Sequence, residues 1–592
     1  MPIFDYKRTH YCGDIRMENC GERVTLYGFV QRSRDLGGLI FTDLRDRTGI
    51  SQLAFDDNTE KAVFDIASEL KSEYVVAASG IVRERSSKNK DIPTGDVELA
   101  VDTIKILSKA QTPPFEIADG ILTNEELRLK YRYLDLRRPE LTKKILMRNK
   151  IVKVARDFFY DEGFIDIETP IMVKSTPEGA RDYLVPSRVH HGKFYALPQS
   201  PQLYKQLLMV SGFDKYVQFA RCFRDEDLRA DRQPEFTQID LEMSYVEVED
   251  VLSVGERFIK YLFKNVLDVD IPTPLPRLTY KDAMERFGSD KPDTRFGMEL
   301  YPLNDIVKDC GFGVFTSTIE AGGAVYGITA KDSVSKLSRK EIDKLTDYVK
   351  GIGGKGIAWA RLTPDGMASS FAKFMSEEEM QAILDKADAK EGDVVLILAD
   401  TNKNRLLSTL GLLRNEVARR LEYKLEGFNF LWITEFPFFE YDDELGDYVA
   451  MHHPFTSPLE SDIENLDKDK GKVRARAYDL VLNGMEMSSG SIRITDPELQ
   501  SKMFAALGLS DEEAEEKFGF LTNAFKYGAP PHGGMGIGLD RLTLQMIGGE
   551  SLRDVIAFPK LKDASEAMTD CPSLVDEMQL TELSIGVLPE EK

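Results

Sequence analysis

Four separated stretches hold residue types that can handle phosphates and carboxylates. The first is Phe223-Arg224-Asp225-Glu226-Asp227, continued by Leu228-Arg229-Ala230-Asp231-Arg232-Gln233-Pro234-Glu235 and on to Asp240. It reads as strand, charged loop and strand. Arg224 carries a planar fork of donors that can hold a phosphate or carboxylate through two parallel hydrogen bonds. Taken alone, a charged hairpin is most often a solvated turn. The second stretch is Gly536-Ile537-Gly538-Leu539-Asp540-Arg541, leading into a helix. Two glycines permit close backbone approach, and Arg541 is placed to meet a phosphate. The sixth position is Arg rather than Gly and no acidic-ended βαβ unit follows, so the dinucleotide fingerprint is not met. Tight strand–helix packing would use the same glycines.

The third stretch pairs Glu178-Gly179-Ala180-Arg181-Asp182-Tyr183 with Pro198-Gln199-Ser200-Pro201-Gln202-Leu203-Tyr204-Lys205. On a helix begun at Ser200-Pro201, Lys205 lies three residues past Gln202 and on the same side. An amide and an ammonium would then face one small polar ligand, although a surface Lys/Gln pair is the plainer reading. The fourth is Asn483-Gly484-Met485-Glu486-Met487-Ser488-Ser489-Gly490-Ser491-Ile492-Arg493. An extended strand would put Glu486 and Arg493 on opposite faces, unless the Ser-Ser-Gly-Ser run bulges it. A structural ion pair or solvent-facing charges would account for this stretch equally well. Four of the six histidines form His190-His191 and His452-His453. Neighbours on a strand point oppositely, which disfavours metal ligation by either pair. A neutral polar role is expected of His452-His453.

These stretches need scaffolds. Strands are expected over Val24–Val30, Leu39–Leu44, Ile50–Phe55, Val75–Val82 and Val97–Leu107. A helix over Thr59–Lys71 should interrupt them, with Ala62, Ile66 and Leu70 in its stripe. Three strands, a helix and two strands is the order of an OB-type barrel, which commonly grips single-stranded nucleic acid. A barrel that only packs is the alternative. Pro113-Pro114 marks a linker. Two helices follow. The second starts near Pro139, carries the stripe Leu141, Ile145, Val152, Ala155 and Phe159, and stops at Gly163. Residues 293–425 change texture, with a Gly-rich run at 351–356, a buried-looking strand Val394–Leu398 and a helix over Asn402–Arg420. They read as an inserted domain.

Composition narrows the class. The chain has 592 residues, and its 77 Lys+Arg against 100 Asp+Glu leave a net charge of −23. That argues against a generally basic nucleic-acid coat or a polybasic membrane binder, while leaving room for a local basic groove. No apolar run reaches the roughly 18 residues of a membrane span. The N-terminal Met1-Pro2-Ile3-Phe4-Asp5 lacks a signal-peptide core. Cys12, Cys20, Cys222, Cys310 and Cys571 are scattered and odd in number. A disulfide framework or structural zinc site is therefore not expected, and the reducing cytoplasm is the expected compartment.

Taken together, the four stretches resemble the class II aminoacyl-tRNA synthetases, and among them the bacterial-type aspartate enzymes. The helix ending at Gly163 with Phe164-Ile165-Asp166-Ile167-Glu168-Thr169-Pro170 is similar to the family's first motif. Phe223-Arg224-Asp225-Glu226 with its return strand is similar to the second, and Gly538-Leu539-Asp540-Arg541 to the third. Thr176–Tyr183 and Phe223–Asp240 narrow the resemblance to aspartate, and the insertion to the bacterial branch.

The resemblance implies an α+β multidomain chain with an N-terminal OB-type β-barrel, a class II synthetase antiparallel-sheet catalytic domain and an inserted α/β domain. Its expected limits are 1–107 for the anticodon-binding barrel, 108–138 for a hinge, and 139–292 and 426–560 for the catalytic domain. The insertion would occupy 293–425 and a C-terminal extension 561–592. It further implies a homodimer with Pro170 at the interface. ATP and Mg²⁺ would be used to make aspartyl-adenylate from L-aspartate, and aspartate would then pass to the 3′ end of tRNA(Asp). No membrane or DNA partner is expected. Both reactants of the first step are anionic, so catalysis would be positioning plus charge neutralisation.

By the family pattern, Arg224, Arg541 and Glu486 are catalytic. Arg224, Asp225, Glu226, Gln233, Glu486, Gly538, Leu539, Asp540 and Arg541 bind ATP. Asp479 and Glu486 ligate Mg²⁺. Lys205 and Arg493 clamp the side-chain carboxylate of aspartate, with Glu178, Gln202 and Asp240 around its ammonium. Ser200, Arg224, His452 and His453 complete that pocket. The segment 174–180 resembles the family's mobile loop. On the barrel, Arg32, Arg34, Leu36, Phe41, Gln52 and Glu98 would read the anticodon, with Phe41 as a stacking face.

Leu36 stands where bacterial members that also charge tRNA(Asn) often have His, which tilts the reading to the strict enzyme; the loop 85–90 also bears on it. The alternatives are that relaxed enzyme and, from another class, a non-catalytic RNA-binding regulator on a synthetase body. An asparagine- or lysine-specific relative is disfavoured by the Lys205–Arg493 pair.

Overall fold

The computed structural model describes residues 7–176, 180–227, 232–442 and 446–588. They divide into two compact units, Met1–Lys150 with Asp227–Gln233 and Ile547–Gln579, and Ile151–Glu226 with Pro234–Met546 and Leu580–Lys592.

The first unit opens with a closed barrel of β1 (Arg23–Asp35), β2 (Ile40–Arg45), β3 (Ile50–Phe55), β4 (Val75–Glu84) and β5 (Val97–Ser108), in the order β1-β2-β3-β5-β4. Alternate residues such as Val24, Leu26, Leu44, Leu53, Val76, Val97 and Leu99 fill its core. Helix α1 (Lys61–Ser68) is shorter than the sequence suggests, because Asp56 and Thr59 first close a turn (2.8 Å). Its buried face is Val63, Ala67 and Leu70; Ala62 is exposed and Ile66 only partly buried, so the expected stripe is rotated. The segment taken as a hinge contains two short helices, Glu125–Lys130 and Arg132–Asp135. Fully buried Asp135 holds Arg132 at 2.8 Å and Arg138 at 2.9 Å. Arg132 also donates to the carbonyls of Arg553, Ile556 and Ala557. A buried guanidinium must place its five N–H groups, and that need fastens the segment after Ile547 to this unit.

The second unit is built on an eight-stranded sheet. Its order is Arg277–Thr279, Phe430–Thr434, Ala477–Leu482, Met485–Ile492, His532–Gly538, Glu235–Ser244, Lys215–Phe223 and Ile165–Asp166. The inner pairings are antiparallel and the two outermost are parallel. One face packs on the helix Val248–Leu267, where a side chain at Gly255 would meet Trp432 and Met535 at 3.0 Å. The helix Pro139–Asp161 begins on its proline and is closed at Gly163, whose φ of +80° suits glycine. A separate five-stranded sheet runs Tyr301–Pro302, Ala324–Ala330, Val394–Asp400, Ala358–Thr363 and Gly366–Ser369. Val394, Leu396 and Leu398 face one apolar cluster and Val395 and Ile397 another, so both faces of that strand are covered. The helix Lys403–Arg420 buries Arg414, which donates to the carbonyls of Asp293, Phe296, Gly297 and Met298.

Candidate functional site

Residues paired across antiparallel strands share a face, and residues two apart on one strand do too. This rule assembles the site on the sheet face opposite Trp432. Gln218, Asp240, Gly536, Ser489 and Asp479 form one row across five strands. Tyr216, Glu242, Gly534, Ser491 and Ala477 form the next. Toward the other end lie Ala220, Gln238 and Gly538, then Cys222 and Phe236. From Phe236 to Glu242 the face runs about 20 Å. Gly534, Gly536 and Gly538 line its floor with no side chain. A Cβ at Gly534 would come within 2.0 Å of the Leu241 carbonyl oxygen and 2.2 Å of Glu242 Oε2.

The pairing slips between Leu480 and Val481. Leu480 faces Ser488 but Val481 faces Glu486, so Met487 is an extra residue. The bulge turns Glu486 onto the face that carries Asp479, Ser489, Ser491 and Arg493. The opposite-face expectation for Glu486 and Arg493 fails for this reason, with the bulge just ahead of the Ser-Ser-Gly-Ser run.

At one end of the face sits a buried charge cluster. Arg493 donates from Nε to Glu242 Oε1 (2.8 Å) and from Nη2 to Oε2 (3.0 Å). Its Nη1 reaches Ser491 Oγ (2.6 Å) and His453 Nε2 (2.8 Å). Lys205, on the helix Gln202–Val210, donates to Asp240 Oδ1 (2.8 Å) and lies 3.2 Å from Glu242 Oε2. All four charged groups are at most 4% exposed. Burial works to raise the Glu242 carboxyl, but Arg493 and Lys205 outweigh it and hold it at about 2. Burial raises the Asp240 carboxyl despite Lys205. Two cations and two anions leave the cluster near neutral. A count of N–H groups leaves one on Arg493 and one on Lys205 without a partner among the described residues. That is the donor set for one further carboxylate.

At the other end, the Arg224 guanidinium lies over the Phe236 ring at 5.1 Å, and its buried Nε has no partner among the described residues. The Arg224 main chain is held by Pro234 (2.8 Å). Arg541 donates to the Glu486 carbonyl (3.2 Å) and lies 3.9 Å from its carboxylate. This end offers guanidinium groups and an aromatic face, suited to a phosphate-bearing ring compound.

The barrel of the first unit presents a second polar face. Arg32, Asp43, Gln52 and Glu98 are paired in a row, with Arg34, Phe41 and Ala54 beside them. Gln52 donates to Glu98 (2.7 Å) and accepts from Arg85 (2.6 Å). Arg83 bridges Glu98 and Asp56, both at 2.8 Å. Phe41 stands among these charges as a partly open ring, and Leu36 is 67% exposed at the β1–β2 turn.

Comparison with known proteins fits both faces. Residues 124–562 match the family described as tRNA synthetases class II (D, K and N), and residues 24–107 match the OB-fold nucleic acid binding domain. The chain belongs to the class II tRNA synthetases of the D, K and N group. It is 56% identical over 592 residues to the aspartate–tRNA ligase of Ruminiclostridium cellulolyticum, covering 99% of each chain. It is 55% identical over 584 residues to the aspartate–tRNA(Asp/Asn) ligase of Lachnoclostridium phytofermentans, covering 98% of this chain and 97% of that one. Its fold is similar to the asparaginyl-tRNA synthetase from Pyrococcus horikoshii complexed with asparaginyl-adenylate, with TM-score 0.58, 18% identity, and coverage of 93% of this chain and 97% of that one.

Within the synthetase, Lys205, Asp240, His453 and Arg493 meet in the charge cluster, and Arg224, Glu486 and Arg541 share the sheet face that carries it. Gln202 is buried at the start of the Lys205 helix, and its Nε2 has no partner among the described residues. Ser200 lies two residues ahead of it. Asp225 faces Arg181 at 3.6 Å, and the Glu226 N–H bonds the Arg224 carbonyl. Other residues expected at the nucleotide also make contacts within the protein. Asp540 accepts from the Thr237 main chain (2.9 Å), and Leu539 is 2% exposed. In the first unit, Gln233 donates to and accepts from the Lys560 main chain (3.2 and 2.8 Å). Glu178 lies outside the described residues. Pro170 borders an open concavity with Lys174, Thr176, Ser200 and Phe520. Sequence reasoning missed Glu242, Phe236, Ser491 and, on the barrel, Arg83. The period-two run Phe236-x-Gln238-x-Asp240-x-Glu242 carried the signal.

The surroundings of His452 and His453 disfavour the charged imidazole. Burial, then the charges of Arg493 and Lys205, lower His453 well below its ordinary value, and burial lowers His452 to about 4. His452 packs edge-on against Phe436 and Phe438. A histidine depressed in the folded state takes up more protons when unfolded, so its stabilising share is full above about pH 6.5 and falls toward pH 4. The urea midpoint of the synthetase is therefore expected to drop between about pH 7.5 and 5. His452→Gln should flatten that drop; an unchanged slope would refute the assignment.

Proposed function

We propose that the chain is an aspartate–tRNA ligase. The observation that carries this reading is the buried Lys205–Arg493 pair with two spare N–H donors, on the face that also carries Arg224. One carboxylate fits those donors. The amide of asparagine would turn its NH₂ toward an N–H, leaving buried donors unmatched, at a cost of about 1–3 kcal/mol for each group. The ammonium of the bound amino acid would lie beside Asp240, whose anion it would favour.

Arg224 then meets the α-phosphate and the attacking α-carboxylate. The carboxylate oxygen bonds to the α-phosphorus, the α–β bridging bond breaks, and pyrophosphate leaves with that electron pair. In the second step the terminal ribose hydroxyl of tRNA attacks the activated carbonyl, and AMP departs as its proton is lost. Arg541 would hold the departing phosphates. No protein nucleophile is needed.

Asp479 and Glu486 fit Mg²⁺. The bulge brings both to one face, and burial, then the charge of Glu486, raise Asp479 well above its ordinary value. Among the described residues no third metal ligand joins them, which suits an ion that shares its shell with a triphosphate. When bound, the ion neutralises phosphate charge.

The barrel face would read the anticodon, with Phe41 stacking on a base. We place the activity in the cytoplasm. The exposed Ile165, Ile171 and Met172 around Pro170 support a homodimer through that segment; a monomer by sedimentation would overturn it.

Aspartate-dependent ATP–pyrophosphate exchange tests the central reading, and absence of exchange with pure protein would favour a non-catalytic RNA-binding role. Leu36 supports strict charging of tRNA(Asp), whereas the relative named for both tRNAs supports the relaxed form. Charging of purified tRNA(Asn) is expected to lag that of tRNA(Asp) by the worth of a lost base contact, roughly 1–3 kcal/mol. Equal rates would establish the relaxed enzyme.

A further inference from the structure

Gln199 is 5% exposed and its amide is committed at both ends. Nε2 donates to the Ala180 carbonyl (2.8 Å) and to Asp182 Oδ1 (2.6 Å), and Oε1 accepts from the Ala180 N–H (3.2 Å). The other oxygen of Asp182 accepts from Ser175 Oγ (2.8 Å). Between Ala180 and Asp182, the Arg181 carbonyl accepts from the Asp225 N–H (3.1 Å). The Phe223 N–H, in turn, donates to the Pro198 carbonyl (2.9 Å). Segments 180–182, 198–199 and 223–225 are thus tied pairwise into one junction.

This junction joins the two ends of the proposed site. Gln199 leads directly into Ser200, Gln202 and Lys205, which face the amino acid. Asp225 follows Arg224, which faces the nucleotide. Ala180, Arg181 and Asp182 are partly or fully exposed, so hydrogen bonds rather than burial set their place. A primary amide pairing both ways with a peptide fixes position and direction together.

We infer that Gln199 is a positioning residue for the ligase reaction, acting through Asp182 and Asp225 to keep the amino-acid and phosphate contacts in register. The inference rests on the ligase reading. Its signature is that one substitution on the amino-acid side disturbs both ends of the site.

The test is ATP–pyrophosphate exchange with the full chain, comparing Gln199→Met, Asp182→Ala and Asp182→Asn. Methionine keeps the volume but none of the bonds. Gln199→Met and Asp182→Ala are each expected to raise the aspartate KM and lower kcat by about tenfold, the size of one lost buried tie. Asp182→Asn keeps an oxygen for Gln199 and offers its amide to Ser175, so it should stay within about threefold of the natural chain. A purely structural role would lower the melting temperature and leave KM and kcat of the folded protein unchanged. That result for Gln199→Met would overturn the inference, as would equal damage from Asp182→Asn and Asp182→Ala. Should Gln199→Met not fold, natural constants for half-buried Asp182→Ala would overturn it. Failure of the natural chain to exchange with aspartate would instead sink the ligase reading itself.

Discussion

Arg493→Leu is expected to lower kcat/KM for aspartate in ATP–pyrophosphate exchange by about a thousandfold or more, near 4 kcal/mol. The substitution removes one of the two donors that await the substrate carboxylate. It also strips Glu242 of its paired contacts at 2.8 and 3.0 Å. Glu242 is fully buried and, among the described residues, would keep Lys205, 3.2 Å away, as its ion-pair partner. Lys205 would then be shared among Glu242, Asp240 and the ligand. Loss of fold must be separated from loss of activity by circular dichroism and a urea titration. Activity within tenfold of the natural chain would remove the clamp from the account.

Arg224→Ala should fall on a different constant. A kcat loss of about 10²–10³ is expected, as for deletion of a donor aimed at developing transition-state charge. The aspartate KM should move only severalfold, because Lys205, Asp240 and Arg493 are untouched. The side chain rests on Phe236 and leaves its Nε unpartnered, so among the described residues its removal opens no ion pair. An equal effect on KM with kcat preserved would mean that Arg224 serves ground-state binding alone.

Much of this arrangement was legible in the order of residues. Valine, leucine and isoleucine at alternate positions gave the barrel strands, and Pro139 and Gly163 marked the ends of a long helix. Lys205 and Arg493 are legible as a clamp only through the family resemblance, since their neighbours alone allow a surface pair or solvent-facing charges. Glu242 was not legible, because between Leu241 and Met243 it looks like one charge in an apolar run. Only the pairing of Glu235–Ser244 with His532–Gly538 shows which neighbours share its face. Asp540 and Gln233 show what else the order of residues leaves out. Their residue types suit a nucleotide, and the fold also ties each to a main-chain group, Asp540 to Thr237 and Gln233 to Lys560. Likewise the fastening of Arg132 to Arg553, Ile556 and Ala557 spans over 400 positions of sequence and leaves no local pattern.

The extra residue at Met487 gives its strand two phases. Positions up to Glu486 keep time with one count of odd and even, and positions from Ser488 onward with the other. Removing the extra residue would merge the two counts, and a regular strand would then separate Glu486 and Arg493 by an even step that keeps both on one face. Adding or removing a residue elsewhere between them, with the bulge kept, would instead send either the carboxylate or the guanidinium through to the Trp432 side. The distance in sequence between these two groups is therefore coupled to the bulge: the two can change together but not one alone.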